Sequence, residues 1–159
     1  MSDSQISLDS MKFRVKFRIQ YSKSHLFWLQ FFRTRISITP KLIYIFDDRV
    51  CVFCDPSQFT QAKRRWHTYI SQPHHHLNYH FRILVYSENL VDLIKSWYQN
   101  VKNLQVIISQ GFKNIKIELY PPHNLRQFII GKHGNEIEML SAFLDHCIYG
   151  NWNYHLILH

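Results

Sequence analysis

Residues 88–101 place their apolar side chains at the spacing of an α-helix. The stripe consists of Leu90, Ile94, Trp97, Tyr98 and Val101. Its period predicts an amphipathic helix. Two segments follow, 104–110 and 115–120, which are rich in β-branched and aromatic residues and are separated by Gly111 and Asn114. They predict two strands joined by a turn.

The pattern changes from strand to helix at Pro121 and Pro122. Because proline lacks the N–H that a first helical turn would leave unpaired, this pair predicts a short helix, which ends at Gly131. The apolar face of that helix consists of Leu125, Phe128 and Ile129. Asn135 then has the position of an N-cap, with Glu138 reaching back to it, for a second helix. The stripe of the second helix consists of Ile137, Leu140, Leu144 and Ile148. Gly150 is expected to close it, and "NYHLILH" predicts a final strand.

The amino-terminal half contains a cationic segment and a basic helix. Residues 12–20 alternate basic and apolar side chains, which predicts a strand with one wholly cationic face. That face consists of Lys12, Arg14, Lys16 and Arg18. The like charges on this face repel one another unless an anion covers them, so phosphate contact is favoured over a solvated face. A hairpin is predicted to turn at Asp47 and Asp48, and a helix to begin after Pro56. The basic run of that helix consists of Lys63, Arg64 and Arg65. It fits RNA contact and a solvated face equally well.

Composition favours an anionic partner. Among 159 residues, 19 Lys and Arg stand against 11 Asp and Glu, for a formal net charge of +8. Nucleic acid is the first expectation and an acidic membrane surface the second. No run of 18 apolar residues occurs and the first ten residues are polar, so we expect neither a membrane span nor a secretory signal. Alanine is scarce while Phe, Ile, Asn and Lys abound. This bias is typical of AT-rich coding sequences, such as those of mitochondria or other organelles. We therefore expect a location in such an organelle, or else in the cytoplasm.

Two of the four glycines lie in "GKHG", residues 131–134, where the two predicted helices meet. Glycine lets the turn adopt positive φ and lets a nucleic-acid backbone come close. Unpaired amides at the start of the second helix attract phosphate, and Lys132 adds a positive charge. The turn therefore predicts a phosphate contact. The alternative is that the glycines serve only a tight connection between helices.

The stretch "FIIGKHGNEIEML", residues 128–140, resembles a type II KH domain, and most of all the KH domain of the small-subunit ribosomal protein S-three family. The likeness covers residues 88–159 with every predicted element in order. It implies an αββααβ fold whose Gly-x-x-Gly loop clamps about four nucleotides of single-stranded RNA. The apolar groove beside the loop would be floored by Ile129, Ile130, Ile137 and the last strand. The RNA-binding residues implied by the resemblance are Ile130, Gly131, Lys132, His133, Gly134 and Asn135. The third loop position is usually basic in the family, whereas here it is His133.

A zinc site is the competing chemistry. Cys51 and Cys54 are followed by His67 and His74, and two thiolates with two imidazoles hold zinc tetrahedrally in double-stranded-RNA-binding fingers. The spacing is slightly long. Because "RVCVF" alternates like a strand, buried structural cysteines explain the pattern more simply than a zinc site does. We therefore expect no metal and no other cofactor.

The sequence thus predicts an α+β protein with a basic, aromatic, strand-rich region over residues 1–86 and a type II KH domain over 87–159. We expect a structural RNA-binding protein of the small ribosomal subunit, with rRNA and ribosomal proteins as partners. No membrane or small-molecule substrate is expected. The chain lacks nucleotide-binding, nucleophile-elbow and zinc-protease motifs, so we expect no enzymatic activity. The alternatives are a protein-interaction adaptor with a degenerate KH scaffold and a zinc-finger RNA-binding protein.

Overall fold

A computed structural model describes residues 13–18, 20–72 and 78–159. Over these ranges the chain is a mixed α+β protein with five α-helices and two three-stranded sheets. It forms two compact units, one built from residues 13–18 together with 87–159 and the other from 20–86. The predicted boundary after residue 86 had assigned segment 13–18 to the amino-terminal region instead.

The amino-terminal unit combines one sheet with two helices. Its elements are α1 (Lys23–Phe31), a π-helical turn (Phe32–Ile36), β1 (Leu42–Phe46), β2 (Arg49–Cys54), α2 (Phe59–Ile70) and β3 (His80–Val85). The hairpin β1–β2 turns at Asp47 and Asp48 as predicted, and Phe46 faces Arg49 across it. Asp47 adopts a positive φ of 54°, which aspartate tolerates in turns. Strand β3 pairs parallel to β2, so the sheet order is β1-β2-β3.

Aromatic side chains dominate the core of this unit. Trp66 of α2 stacks on Phe32 of the π-helical turn, with 5.4 Å between the ring centroids, and its ring centroid lies 4.5 Å from that of Phe81 of β3. Trp28 of α1 meets Phe81 edge-on at 4.8 Å. These contacts join both helices to the sheet. Aromatic pairs at such distances stabilise the fold by more than the burial of their surface alone.

The carboxyl-terminal unit contains the predicted helix, hairpin and final strand. Its elements are α3 (Leu90–Trp97), β4 (Gln105–Gln110), β5 (Asn114–Tyr120), a 3-10 turn (His123–Leu125), α4 (Arg126–Ile130), a 3-10 turn (Lys132–Gly134), α5 (Asn135–Cys147) and β6 (Asn153–Leu158). Helix α3 is capped by Asn89, whose side chain accepts a hydrogen bond from the amide of Asp92. Strand β5 pairs antiparallel with β4 and parallel with β6, which gives the order β4-β5-β6.

The limits and faces of α4 and α5 differ from the sequence prediction. Asn135 is the first helical residue of α5, not its N-cap, because Gly134 occupies the cap position in the left-handed region. The helix ends at Cys147, before Gly150. Its fully buried residues are Met139, Leu140, Phe143 and Leu144. In α4, Phe128 is half-exposed while Ile129 is buried, so the two do not share a face.

Residues 13–18 do not form the predicted strand. They are extended and make two isolated bridges, Arg14 to Asn89 and Phe17 to Ile148. Backbone hydrogen bonds hold the segment at the start of α3 and at the end of α5, as between Val15 N and Glu88 O at 2.8 Å. The alternation of side chains persists, with Val15 buried. None of the described strands pairs along it, so only isolated bridges form instead of a continuous ladder.

Candidate nucleic-acid interface

The turn between α4 and α5 uses a left-handed backbone at three of its four positions. Gly131 has φ 77° and ψ 175°, His133 has φ 56°, and Gly134 has φ 74° and ψ 12°. The Gly131 combination is essentially restricted to glycine, whereas the Gly134 combination is also open to asparagine and aspartate.

The two glycines serve different purposes. A β-carbon on Gly131 would lie 2.4 Å from Cγ of Glu136 and 2.5 Å from Oδ1 of Asn135, so the side chains of α5 fold across this residue. A β-carbon on Gly134 would meet no atom of the described residues within 4 Å. Packing within the chain therefore requires glycine at position 131, while Gly134 leaves open space at the start of α5.

The amino end of α5 has no side-chain cap. Its first-turn amides carry the positive end of the helix dipole, about half an elementary charge. Lys132 and His133 are both exposed beside them. Glu136 and Glu138 also lie in the first turn and offset part of this positive charge. The amides of Gly134 and Asn135 already donate to the carbonyls of Gly131 and Lys132. The open turn therefore offers the positive end of the helix dipole and one lysine to an anion, with two carboxylates nearby.

Apolar side chains near the turn divide into buried and exposed ones. Ile129 is fully buried, so it cannot floor a groove as the resemblance implies. Its carbonyl accepts a buried hydrogen bond of 3.2 Å from the hydroxyl of Tyr98, which ties the end of α4 to α3. Ile130 is 39% exposed and Phe128 is 47% exposed. Phe128, which was predicted to share an apolar face with Leu125 and Ile129, is thus accessible, as Ile130 is, and Ile137 is half-buried.

The cationic segment has partners within its own unit. Nη2 of Arg14 lies 3.0 Å from Oε2 of Glu88, in an exposed ion pair. The guanidinium of Arg18 lies over the ring of Tyr149, 5.6 Å from its centroid. Lys16 is exposed, and Lys12 lies outside the described residues. An acidic side chain therefore already accompanies one of the four basic residues.

The basic run on α2 points in several directions. Nη1 of Arg65 donates hydrogen bonds to the carbonyls of Ile36 at 3.3 Å and Ser37 at 3.1 Å, so this arginine fastens α2 to the π-helical turn. The ammonium of Lys63 lies 5.3 Å from the centroid of the Phe59 ring. Arg64 is exposed.

The three zinc candidates that the structure describes, Cys51, Cys54 and His67, do not come together. Cys51 and Cys54 are both buried in β2, three positions apart, and residues at odd spacing on a strand point to opposite faces. His67 is exposed on α2, and His74 lies outside the described residues. Over the described ranges no three His, Cys, Asp or Glu side chains are grouped for a metal ion. Burial raises the pKa of the Cys54 thiol to about 11, which opposes the thiolate that zinc needs.

Comparison with known proteins shows similarity of fold only. No family model and no curated protein matches the chain. Among solved structures, the crystal structure of APE1850 is similar, with a TM-score of 0.65 over 87% of this chain and 100% of that one, at 12% sequence identity. Identity at this level reports the architecture and carries no functional residue across. In the portion of the chain that the structure describes, no helix is both long and apolar enough to span a bilayer.

Proposed function

We propose that this protein binds single-stranded RNA through a type II KH fold in its carboxyl-terminal unit, as a structural component of the small ribosomal subunit. The order of elements from α3 to β6 supports the fold assignment. So does the sheet, in which a hairpin is followed by a strand that returns parallel to β5. The Gly-x-x-Gly sequence lies where α4 meets α5, as the resemblance requires.

One observation carries the proposal: the space beside Gly134 is empty and lies at the uncapped amino end of α5. A phosphate placed there meets the positive end of the helix dipole and the Lys132 ammonium. Hydrogen bonds to a charged group contribute about 1.5–3 kcal/mol each, more than bonds between neutral groups. The positive φ of 74° already favours glycine at this position, and the open space around its α-carbon leaves room for a ligand there.

The exposed apolar side chains supply the second half of an RNA site. Phe128 and Ile130 belong to α4, directly before the turn. Bases of a single strand stack on aromatic rings with about 1–3 kcal/mol per base and little sequence preference. A strand whose phosphate lies at Gly134 would therefore find apolar surface for a neighbouring base.

The carboxylates of Glu136 and Glu138 limit the strength of this site. Both repel phosphate, and His133 replaces the second basic residue of the family pattern. We therefore expect weak binding by the turn alone and tighter binding within a larger assembly, which is why a ribosomal setting fits better than a free RNA-binding protein.

The acidic first turn also favours a second candidate. Exposed apolar side chains at Phe128 and Ile130, followed in the chain by the carboxylates of Glu136 and Glu138, suit a protein partner, so a KH-like unit that serves as a protein-interaction adaptor is the alternative. The two functions differ in their response to polyanions. RNA binding weakens steeply with salt because counterions are released, whereas an apolar protein contact depends little on salt.

The test is the binding of the full chain to a single-stranded RNA oligonucleotide at several salt concentrations. Co-sedimentation with ribosomal subunits in a gradient should accompany it. Salt-dependent binding and migration with the small subunit are expected. A folded protein that neither binds RNA at about 50 mM salt nor migrates with the small subunit would exclude the proposed function and leave the adaptor.

A further inference from the structure

A cleft of about 1020 Å³ lies within the carboxyl-terminal unit. Its walls are residues 13–16, the end of β4 at 108–111 and the connection from α5 to β6 at 148–152, with Tyr154 of β6 beside them. The glycine turn precedes the first residue of α5 and the cleft follows its last, so a helix of 13 residues, about 20 Å long, separates the two. The volume of the cleft is at the upper end of the range for small-molecule sites.

Backbone hydrogen bonds fix one wall of the cleft in place. The amide of Arg18 donates to the carbonyl of Cys147 at 2.7 Å, and the amide of Tyr149 donates to the carbonyl of Lys16 at 2.8 Å. The extended segment is therefore held against the end of α5 along the length that lines the cleft.

The charges around the cleft favour an anion. Of the described residues that line it, Arg14 and Lys16 are basic and none is acidic. The two side chains are two positions apart on an extended segment, so they lie on the same side of it. Arg14 forms an exposed ion pair with Glu88, which does not line the cleft, whereas Lys16 makes no ion pair with any described residue.

An indole ring also lines the cleft. Gly150 has a φ of 104°, and a β-carbon there would lie 2.6 Å from both Cδ1 and Nε1 of Trp152. The indole of Trp152 therefore packs across the α-carbon of Gly150, where only glycine leaves it room. Trp152 is half-buried, so part of its side chain remains accessible to a ligand. An aromatic ring held in this way is a surface on which a base can stack.

The hydroxyl of Tyr154 is a buried polar group without a partner. It makes no hydrogen bond within the described residues. Burial, with a smaller contribution from the carboxylate of Asp145, raises the pKa of Tyr154 to about 12, so the hydroxyl keeps its proton and is a donor. A buried donor normally has an acceptor, in the protein or in a bound molecule. Because Tyr154 lines the cleft, a ligand there is a candidate acceptor.

The end of β4 adds groups that can recognise the edge of a base. Ser109 and Gln110 line the cleft, and their hydroxyl and amide groups both donate and accept hydrogen bonds. Single-stranded bases are recognised by such groups together with an aromatic ring on which they stack. We propose that the cleft binds one nucleotide, with its phosphate at Lys16 and Arg14 and its base against Trp152. The nucleotide is a free monophosphate or one residue of an RNA strand, since both present the same chemistry, and its binding does not depend on the glycine turn.

The first experiment measures the binding of AMP and UMP, one purine and one pyrimidine nucleotide, to the full chain by NMR titration. Adenosine and uridine are measured beside them. The wild type should bind each nucleotide more tightly than its nucleoside, because only the nucleotide carries the phosphate. Lys16→Gln should lower the affinity for the nucleotides by about 10-fold and leave that for the nucleosides unchanged. Trp152→Ala should lower both affinities alike, by roughly 10-fold, because the stacking surface is lost.

Two control variants remove similar groups that do not line the cleft. Lys95→Gln removes an exposed lysine of α3, and Phe112→Ala removes a ring that is 85% exposed at the turn between β4 and β5. Both should bind nucleotides as the wild type does. Thermal unfolding of each variant separates loss of the site from loss of the fold. Trp152→Phe keeps an aromatic ring, so it should retain most of the affinity, and it replaces Trp152→Ala in the test if that variant does not fold.

The same variants with a single-stranded oligoadenylate distinguish the two sources of the nucleotide. If free nucleotides do not bind, but Lys16→Gln and Trp152→Ala weaken RNA binding and the controls do not, the nucleotide belongs to an RNA strand. Gly134→Asp should bind free nucleotides as the wild type does, whatever its affinity for RNA, so failure of the turn and failure of the cleft are distinguishable.

Three results would overturn the inference. The first is that free nucleotides do not bind and the cleft variants do not weaken RNA binding. The second is nucleotide binding that Lys16→Gln and Trp152→Ala leave unchanged. The third is an equal loss of affinity in Lys95→Gln and Phe112→Ala, which would reduce the effect to net charge and exposed apolar surface.

Discussion

The open space at Gly134 leads to a prediction that separates a ligand site from a structural turn. Gly134→Asp adds a negative charge at the start of α5, and its β-carbon would meet no described atom within 4 Å. Gly134→Asn adds a side chain of nearly the same shape without the charge. Gly131→Ala, three positions earlier, adds one methyl group where Glu136 already lies.

The structure sets different magnitudes for the three changes. At Gly134 the φ of 74° and ψ of 12° lie in the left-handed region, where Asn and Asp cost about 1 kcal/mol. For a chain of this size that lowers the melting temperature by about 2–4 °C. At Gly131 the backbone is essentially restricted to glycine, at a strain of about 1–3 kcal/mol, and the contact of 2.4 Å adds to it. Gly131→Ala should therefore be the least stable variant.

RNA affinity should follow the reverse order of stability, with the larger loss in the Gly134 variants. Gly134→Asp removes room for the phosphate and repels it, so it should lose the contribution of a charged hydrogen bond, about 1.5–3 kcal/mol, or roughly 10- to 100-fold in affinity. Gly134→Asn should lose less, because it blocks without repelling. Thermal unfolding and RNA binding at constant salt, measured on the same preparations, separate loss of fold from loss of site.

The decisive comparison is between the two Gly134 variants and the wild type. If Gly134→Asp remains folded and binds RNA as tightly as the wild type, no phosphate lies at the amino end of α5. The glycines would then serve the turn only, and the proposed function would lose the observation on which it depends.

Three further predictions concern the surrounding structure. Tyr98→Phe should lower the free energy of unfolding by about 1–3 kcal/mol in denaturant titration, because the buried carbonyl of Ile129 loses its donor; an unchanged midpoint would mean that the bond contributes nothing. Burial raises the pKa of Cys54 to about 11 and that of Cys147 to about 12, so both thiols should react with a thiol reagent at pH 8 far more slowly in the folded than in the unfolded protein, and equal rates would contradict the burial. Asp55 has a lowered pKa in the folded state, so its contribution to stability is present above about pH 4 and is lost as the pH falls through the folded pKa. Asp55→Asn should therefore be less stable than the wild type at pH 7 and equally stable in acid. A difference in stability that persists in acid would exclude this cause.

Much of the local structure follows from the sequence alone. Helix α3 and the hairpin of β4 and β5 lie where the periods of apolar residues place them, because both are stabilised by neighbours close in the chain. The hairpin turn at Asp47 and Asp48 follows from the alternation on each side of it. The position of the Gly-x-x-Gly turn between two helices is likewise a local property.

Contacts between residues distant in the sequence decided the rest. Residues 13–18 have the alternation of a strand, yet they lie along two helix ends, because no strand in the described part of the chain pairs with them. Cys51 and Cys54 have a metal-like spacing, but β2 sends them to opposite faces. Arg65 looks like a surface charge until its partners, the carbonyls of Ile36 and Ser37, are known.

The two glycines of the turn show the same division most clearly. Their sequence spacing predicts a tight connection, and the backbone angles confirm it. Only the tertiary structure distinguishes Gly131, over which the side chain of Glu136 packs, from Gly134, which faces open space. Local sequence determines the conformation that a residue prefers. What occupies the space around that residue depends on side chains that the fold brings there.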